Sequence, residues 1–105
     1  MRYIFPPTKF VRENSVEEQL LHILSEVSEL IDEITIKHIN DYHYEVIGHT
    51  TKMLGEAIDL HHSLETLFRK LEDMGVDVEG GFQGTLDKNR ARGYYMGEKK
   101  TEGIK

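Results

Sequence analysis

Ser25-Glu26-Val27-Ser28-Glu29-Leu30-Ile31-Asp32-Glu33 mixes acidic and apolar residues with a helical period, and it has an echo at Glu56-Ala57-Ile58-Asp59. Glu26 and Glu29 are three residues apart, as are Glu56 and Asp59, which stacks each pair on one side of its helix about a turn apart. Two such helices side by side bring four carboxylates together. Like charges at that range repel, so the arrangement makes physical sense around a cation. Oxygen ligation by carboxylates and water is the preference of Mg²⁺, with Mn²⁺ as the substitute such ligands accept.

Upstream, Ser15-Val16-Glu17-Glu18 matches a capping box, in which the Ser15 hydroxyl accepts from the Glu18 amide and the Glu18 carboxylate returns to Ser15. The first helix is expected to start there. Leu20, Leu24, Val27, Ile31 and Ile34 then recur at helical spacing, widened by Ile23 and Leu30, and form the stripe expected to face the core. At about 100° per residue, Glu26, Glu29 and Glu33 fall within roughly 60° of one another on a neighbouring strip at the border of the interface. Solvated glutamates on an ordinary amphipathic helix have the same spacing, so the first pair carries weight only with the second.

Downstream, the pattern weakens between Thr35 and Tyr44, and a short connection is expected near Lys37 to Asp41. A second helix continues to about Met74 and closes at Gly75, a suitable C-terminal glycine. Its stripe is Met53, Ala57, Leu60, Leu64, Leu67 and Leu71, with Val46, Ile47, Leu54, Ile58 and Phe68 making it broader than one surface helix needs. Such breadth fits burial against both the first helix and a partner subunit. Gly48 and Gly55 mark either a bend or a close helix approach. Before the first helix, Pro6 and Pro7 imply an irregular lead-in anchored by Phe5, Phe10 and Val11.

From Val76 onward glycines accumulate and periodic apolar residues thin out, which reads as loop or tail. Within it Lys88-Asn89-Arg90-Ala91-Arg92-Gly93-Tyr94-Tyr95 sets three cations, an amide and two aromatics together. Cations and amides suit phosphate oxygens, and tyrosine stacks on a base or ribose. The other reading is a solvated basic tail balancing local acids.

The chain of 105 residues is 38% hydrophobic and 30% charged, which fits one domain, 1–105: lead-in 1–14, helical core 15–75, Gly-rich loop and basic tail 76–105. The fold expected is all-α, an antiparallel helical bundle completed by homo-oligomerisation, because a monomeric core of this size is thin. With 13 Lys plus Arg against 19 Asp plus Glu, a net charge of -6 argues against a phosphate-neutralising surface for nucleic acid. The absence of Cys removes disulfides and thiolate chemistry and is compatible with a reducing cytoplasm. No stretch approaches the roughly 18 apolar residues of a membrane span, so a soluble, cytoplasmic protein is expected. Among six histidines, only Asp59-x-x-His62 approaches the Glu-x-x-His repeat of di-iron bundles, without a second copy. The histidines therefore read as helix surface or core. No Ser/His/Asp ordering, P-loop or dinucleotide fingerprint is present.

Glu26-x-x-Glu29, 26 intervening residues, then Glu56-x-x-Asp59 resembles the signature of the all-α nucleotide pyrophosphohydrolases of the MazG type. Ser25-Glu26-Val27-Ser28-Glu29-Leu30 and Glu56-Ala57-Ile58-Asp59 are similar to that family's two motif helices. The later Lys-Asn-x-x-Arg-Gly-Tyr, here Lys88, Asn89, Arg92, Gly93 and Tyr94, is most similar to short, phage-type members. Together the motifs cover roughly residues 15 to 95. Ser25 is a departure, because many members carry glutamate there.

The resemblance implies Glu26, Glu29, Glu56 and Asp59 as Mg²⁺ ligands, and Lys88, Asn89 and Arg92 as triphosphate contacts, with Tyr94 beside them. It also implies hydrolysis of a nucleoside triphosphate to the monophosphate and pyrophosphate by a homodimer or homotetramer. A carboxylate not consumed in ligation is needed to accept the proton of the attacking water, and Glu29 and Glu33 are the two nominees. The alternatives are a non-catalytic helical oligomerisation protein on the same scaffold and a specialised enzyme such as phosphoribosyl-ATP pyrophosphohydrolase.

Overall fold

The computed structural model describes residues 2–39 and 46–98, and side chains at 2–33 and 50–98. All regular structure among them is helical: α1 (Phe10–Glu13), α2 (Val16–Ile39), α3 (Val46–Asp73) and α4 (Val78–Ala91). The capping box forms as expected. Ser15 Oγ accepts from the Glu18 amide at 3.1 Å and Glu18 Oε1 accepts from the Ser15 amide at 2.9 Å, and these bonds hold the Glu18 carboxyl below its usual value. Of the connection expected near Lys37 to Asp41, Lys37 to Ile39 belong to α2, and Asn40 and Asp41 lie outside the described residues.

Gly75 ends α3 in the left-handed region at φ 89. Val76 N–H donates to Leu71 O and Gly75 N–H to Glu72 O, each at 2.9 Å, the paired bonds that satisfy the last carbonyls of a helix. Two residues later Asp77 Oδ1 accepts from the Gly80 amide at 2.9 Å and starts α4.

The stretch read as loop from Val76 is thus largely a helix, and this corrects the expectation. Val78, Phe82 and Leu86 recur at helical spacing; Val78 is buried and Phe82 meets Phe68 edge-on at 5.1 Å. Gly80, Gly81 and Gly84 sit inside this helix, their cost of roughly 1 kcal/mol each opposed by the Asp77 cap and by that aromatic contact. The lead-in also contains a helical turn, α1, where an irregular path was expected.

α2 and α3 run antiparallel. Gln19 Nε2 donates to Ser63 O at 2.9 Å, while Lys70 Nζ, lower on α3, reaches back to the carbonyls of Val11, at 2.8 Å, and Asn14, just before α2. Shielded side chains on α2 include Gln19, Ile23, Glu26, Val27, Leu30 and Glu33; on α3 they include Met53, Glu56, Leu60, Ser63, Leu64, Leu67, Lys70 and Leu71. Polar groups therefore share the shielded faces with apolar ones: Ile23, Val27 and Leu30 on α2 and Met53, Leu60, Leu64, Leu67 and Leu71 on α3 are shielded as expected, while part of each stripe turns outward. Leu20, Leu24 and Ile31 are exposed, as are Leu54 and Ile58 on α3. Gly55 has open space around it, so within this chain it does not serve a close approach. Ile34, Val46, Ile47 and Gly48 have side-chain positions outside the described set.

The N-terminal segment is bound along the last half of α3 by polar contacts no sequence pattern announced. Glu65, 5% exposed, accepts from the amides of Ile4 at 3.0 Å and Phe5 at 2.9 Å and pairs with His61 Nε2 at 2.7 Å. Arg69 Nη2 donates to Phe5 O at 2.8 Å and its guanidinium lies 4.2 Å from the Tyr3 ring centre. Tyr3 bonds Glu72, and Thr8 bonds Thr66. Burial pushes the Glu65 carboxyl up, but the bonds from Phe5, Ile4 and His61 together hold it below the usual 4.5.

A depressed folded value means that the Glu65 contribution is present above pH 4.5 and is lost as pH falls through the lower folded value. Glu65→Gln removes the charge and one acceptor, so it is expected to destabilise the fold by about 1–3 kcal/mol at pH 7 in urea titrations. The wild type should lose this advantage over the variant as the pH drops below 4.5.

Candidate metal centre

Helical spacing places Glu26 and Glu29 one turn apart on α2, and the antiparallel register of α3 brings Glu56 opposite them. One carboxylate oxygen from each of the three lies within 4.8 Å of the others. Glu26 and Glu56 are partly shielded in the seam, whereas Glu29 is exposed at its edge. Glu26 Oε1 is 3.3 Å from His22 Nε2, one turn earlier on α2. Its other oxygen, Oε2, is buried without a hydrogen-bond partner, and so is Glu56 Oε2.

The electrostatics follow from that crowding. Burial, then the charge of Glu29, raises the Glu26 carboxyl above its usual value, with His22 opposing and Asp59 adding. Glu56 is raised likewise, first by burial, then by hydrogen bonding and charge from Glu29, with Asp59 and Glu26 contributing. All three oxygens are hard donors, and two buried oxygens lack partners, so the chemistry fits a hard divalent cation. A cation there relieves the repulsion and supplies the missing partners at once.

Asp59, expected as the fourth ligand, stands outside the group of three. It is exposed and instead lines a cavity of about 120 Å³ with Glu26, His22, His62 and Ser63, from which its charge still acts on both Glu26 and Glu56. Glu33 lies half-shielded one turn beyond Glu29, also outside the group.

Lys88 and Asn89 occupy the last turn of α4, and Arg92 and Tyr94 the turn that follows. Gly93, at φ 74, ends the helix, with Tyr94 N–H donating to Asn89 O and Gly93 N–H to Arg90 O at 3.0 Å each. Arg92 lies 5.9 Å from the Tyr94 ring centre, and Arg90 pairs with Glu98 at 3.0 Å. None of these contacts reaches the glutamates. The aromatic contact of α4 on α3 is at Phe68, 12 residues or about 18 Å along the helix from Glu56. Comparison with protein-family models, curated proteins and solved structures finds no match for this chain.

For an acid whose folded value is raised, the folded state binds the proton more tightly, so stability is greatest below the usual 4.5 and falls as pH climbs through the raised value. Glu56→Gln removes that loss. In metal-free buffer its melting temperature is expected to exceed that of the wild type at pH 8, and the gap should close towards pH 4. A gap independent of pH would contradict the crowding described.

Proposed function

We propose that this chain is a Mg²⁺-dependent nucleotide pyrophosphohydrolase of the MazG type, hydrolysing a nucleoside triphosphate to the monophosphate and pyrophosphate. One observation carries the reading: three glutamate oxygens from two antiparallel helices within 4.8 Å, two of the side chains holding a buried oxygen without a partner. Such a donor set serves charge neutralisation at phosphate oxygens better than any nucleophile the sequence offers.

A bound divalent ion would supply charge neutralisation at the α-phosphate and acidity to a water. Glu26 and Glu56, shielded and fixed by the seam, are the holding ligands. Glu29 sits at the open edge, where one of its oxygens would hold the ion and the other, not consumed in ligation, would accept the proton of the attacking water; Glu33, a turn further, is the second nominee for that proton. The water oxygen bonds to the α-phosphorus, the bond from that phosphorus to the bridging oxygen breaks, and pyrophosphate leaves. Lys88, Asn89 and Arg92 are assigned to the triphosphate and Tyr94 to the base or ribose. They lie on a different element from the carboxylates, which supports a site shared between copies in a homodimer or homotetramer. The exposed Leu20, Leu21, Leu24, Leu54 and Ile58 are the surface such an assembly covers.

The same exposed leucines favour the second reading, a non-catalytic helical oligomer, and metal binding separates the two. Release of pyrophosphate from a panel of nucleoside triphosphates, and from phosphoribosyl-ATP, is expected only with Mg²⁺ or Mn²⁺. Glu56→Gln should lower kcat by more than about 100-fold with helicity unchanged by circular dichroism. Turnover that survives the substitution removes Glu56 from the site, and no turnover of any substrate by the folded wild type removes the enzyme.

The assembly has its own test. Leu24→Glu places a charge on the exposed face of α2, and light scattering should show a smaller particle than the wild type. An unchanged mass would place the interface elsewhere.

A further inference from the structure

One buried polar atom in the α2–α3 seam belongs neither to the bonds of the fold nor to the three-glutamate group. His62 lies one turn after Asp59 on α3, and its Nε2 is buried with no hydrogen-bond partner. The ring is held in place: Phe5 stacks on it at 4.2 Å between centroids with planes inclined by 21°. Phe5 is itself fixed through its amide to Glu65 and its carbonyl to Arg69. Glu26 Oε2 is another buried atom without a partner, and both side chains line the cavity of about 120 Å³ that Asp59 and His22 also border.

A cavity bordered by two side chains that each hold such an atom calls for an occupant that donates to them. Its volume accommodates about four waters at roughly 30 Å³ each. His62 is not among the residues whose ligand atoms converge within 4.8 Å, so its link to that group runs through the cavity it shares with Glu26 and not through direct ligation. Mg²⁺ dehydrates reluctantly and keeps several waters, each a strong donor.

We propose that His62 is a positioning residue of the metal centre, its Nε2 accepting a hydrogen bond from a water bound to the divalent ion held by Glu26, Glu29 and Glu56. The inference rests on the reading of those glutamates as a metal centre. With the proton on Nδ1, Nε2 carries a lone pair. A neutral acceptor suits the place, because another carboxylate would add to the repulsion while imidazole orients the water without adding charge. Phe5 then has a role beyond packing: the N-terminal segment, tied to Glu65, fixes the ring that faces the cavity.

The test is a Mg²⁺ titration of ¹⁵N-labelled wild type, following the imidazole nitrogens through long-range proton–nitrogen correlations, with affinities from calorimetry. Mg²⁺ is expected to shift His62 Nε2 and leave His61, whose Nε2 is engaged by Glu65, nearly unmoved. His62→Phe keeps a ring for Phe5 to stack on but lacks Nε2, and should bind Mg²⁺ about 10–100-fold more weakly; His62→Gln should recover part of that loss. Mg²⁺ binding that depends on Glu56 yet leaves Nε2 unshifted overturns the role of His62 and leaves the metal centre standing. No Mg²⁺ binding by the wild type overturns both. The wild-type titration decides the matter even where a variant fails to fold.

Discussion

Repulsion among Glu26, Glu29 and Glu56 is the constraint to which the rest of the structure answers. Three carboxylates meet where two helices cross, a place where apolar side chains would stabilise the fold more. Glu65, one turn and a half further along the same helix as Asp59, shows the contrast. It is more buried than Glu26, yet two backbone amides and a histidine hold its carboxyl below the usual value, whereas Glu26 and Glu56 are raised. Burial acts in the same direction at all three sites. The difference lies in the partners, present at Glu65 and missing at the other two.

That contrast explains how the chain divides its labour. The end of α3 that carries Thr66, Arg69 and Lys70 is covered by the N-terminal segment, and nearly every polar group there is matched. Towards Glu56 the seam is polar and incompletely matched, while leucines that would normally close a core lie outside it. A fold whose satisfied polar network sits at one end and whose unmatched acids sit at the other localises strain at the site and keeps it away from the scaffold.

Much of this was legible from residue order. The capping box at Ser15 and the glycine at 75 gave both helix ends because each is a local rule with a defined bond pattern. The acidic spacing foretold that Glu26, Glu29 and Glu56 converge, though not that Asp59 stays apart, since periodicity fixes which residues share a face. Periodicity does not fix which edge of a broad stripe meets the partner helix, so Ile23, Val27 and Leu30 are shielded together with Glu26 while Leu20, Leu24 and Ile31 of the same expected stripe turn outward. The helix from Val78 was obscured by three glycines, although Val78, Phe82 and Leu86 carried its period. The contacts of Tyr3, Ile4, Phe5 and Thr8 with α3 were invisible, because they join groups, two of them backbone amides, that lie 58 to 69 positions apart in the chain.

The stop at Gly93 constrains the chemistry of its neighbours. Lys88 and Asn89 belong to the final helical turn, Gly93 supplies the left-handed residue and Tyr94 folds back to the Asn89 carbonyl, so one backbone device sets where each of these side chains begins. An inserted residue between Asn89 and Gly93 would turn the amide and the lysine by about 100° relative to the tyrosine. The number of residues in this short run is therefore dictated by helix termination, and a change in its length should disturb the end of α4 whatever these side chains bind.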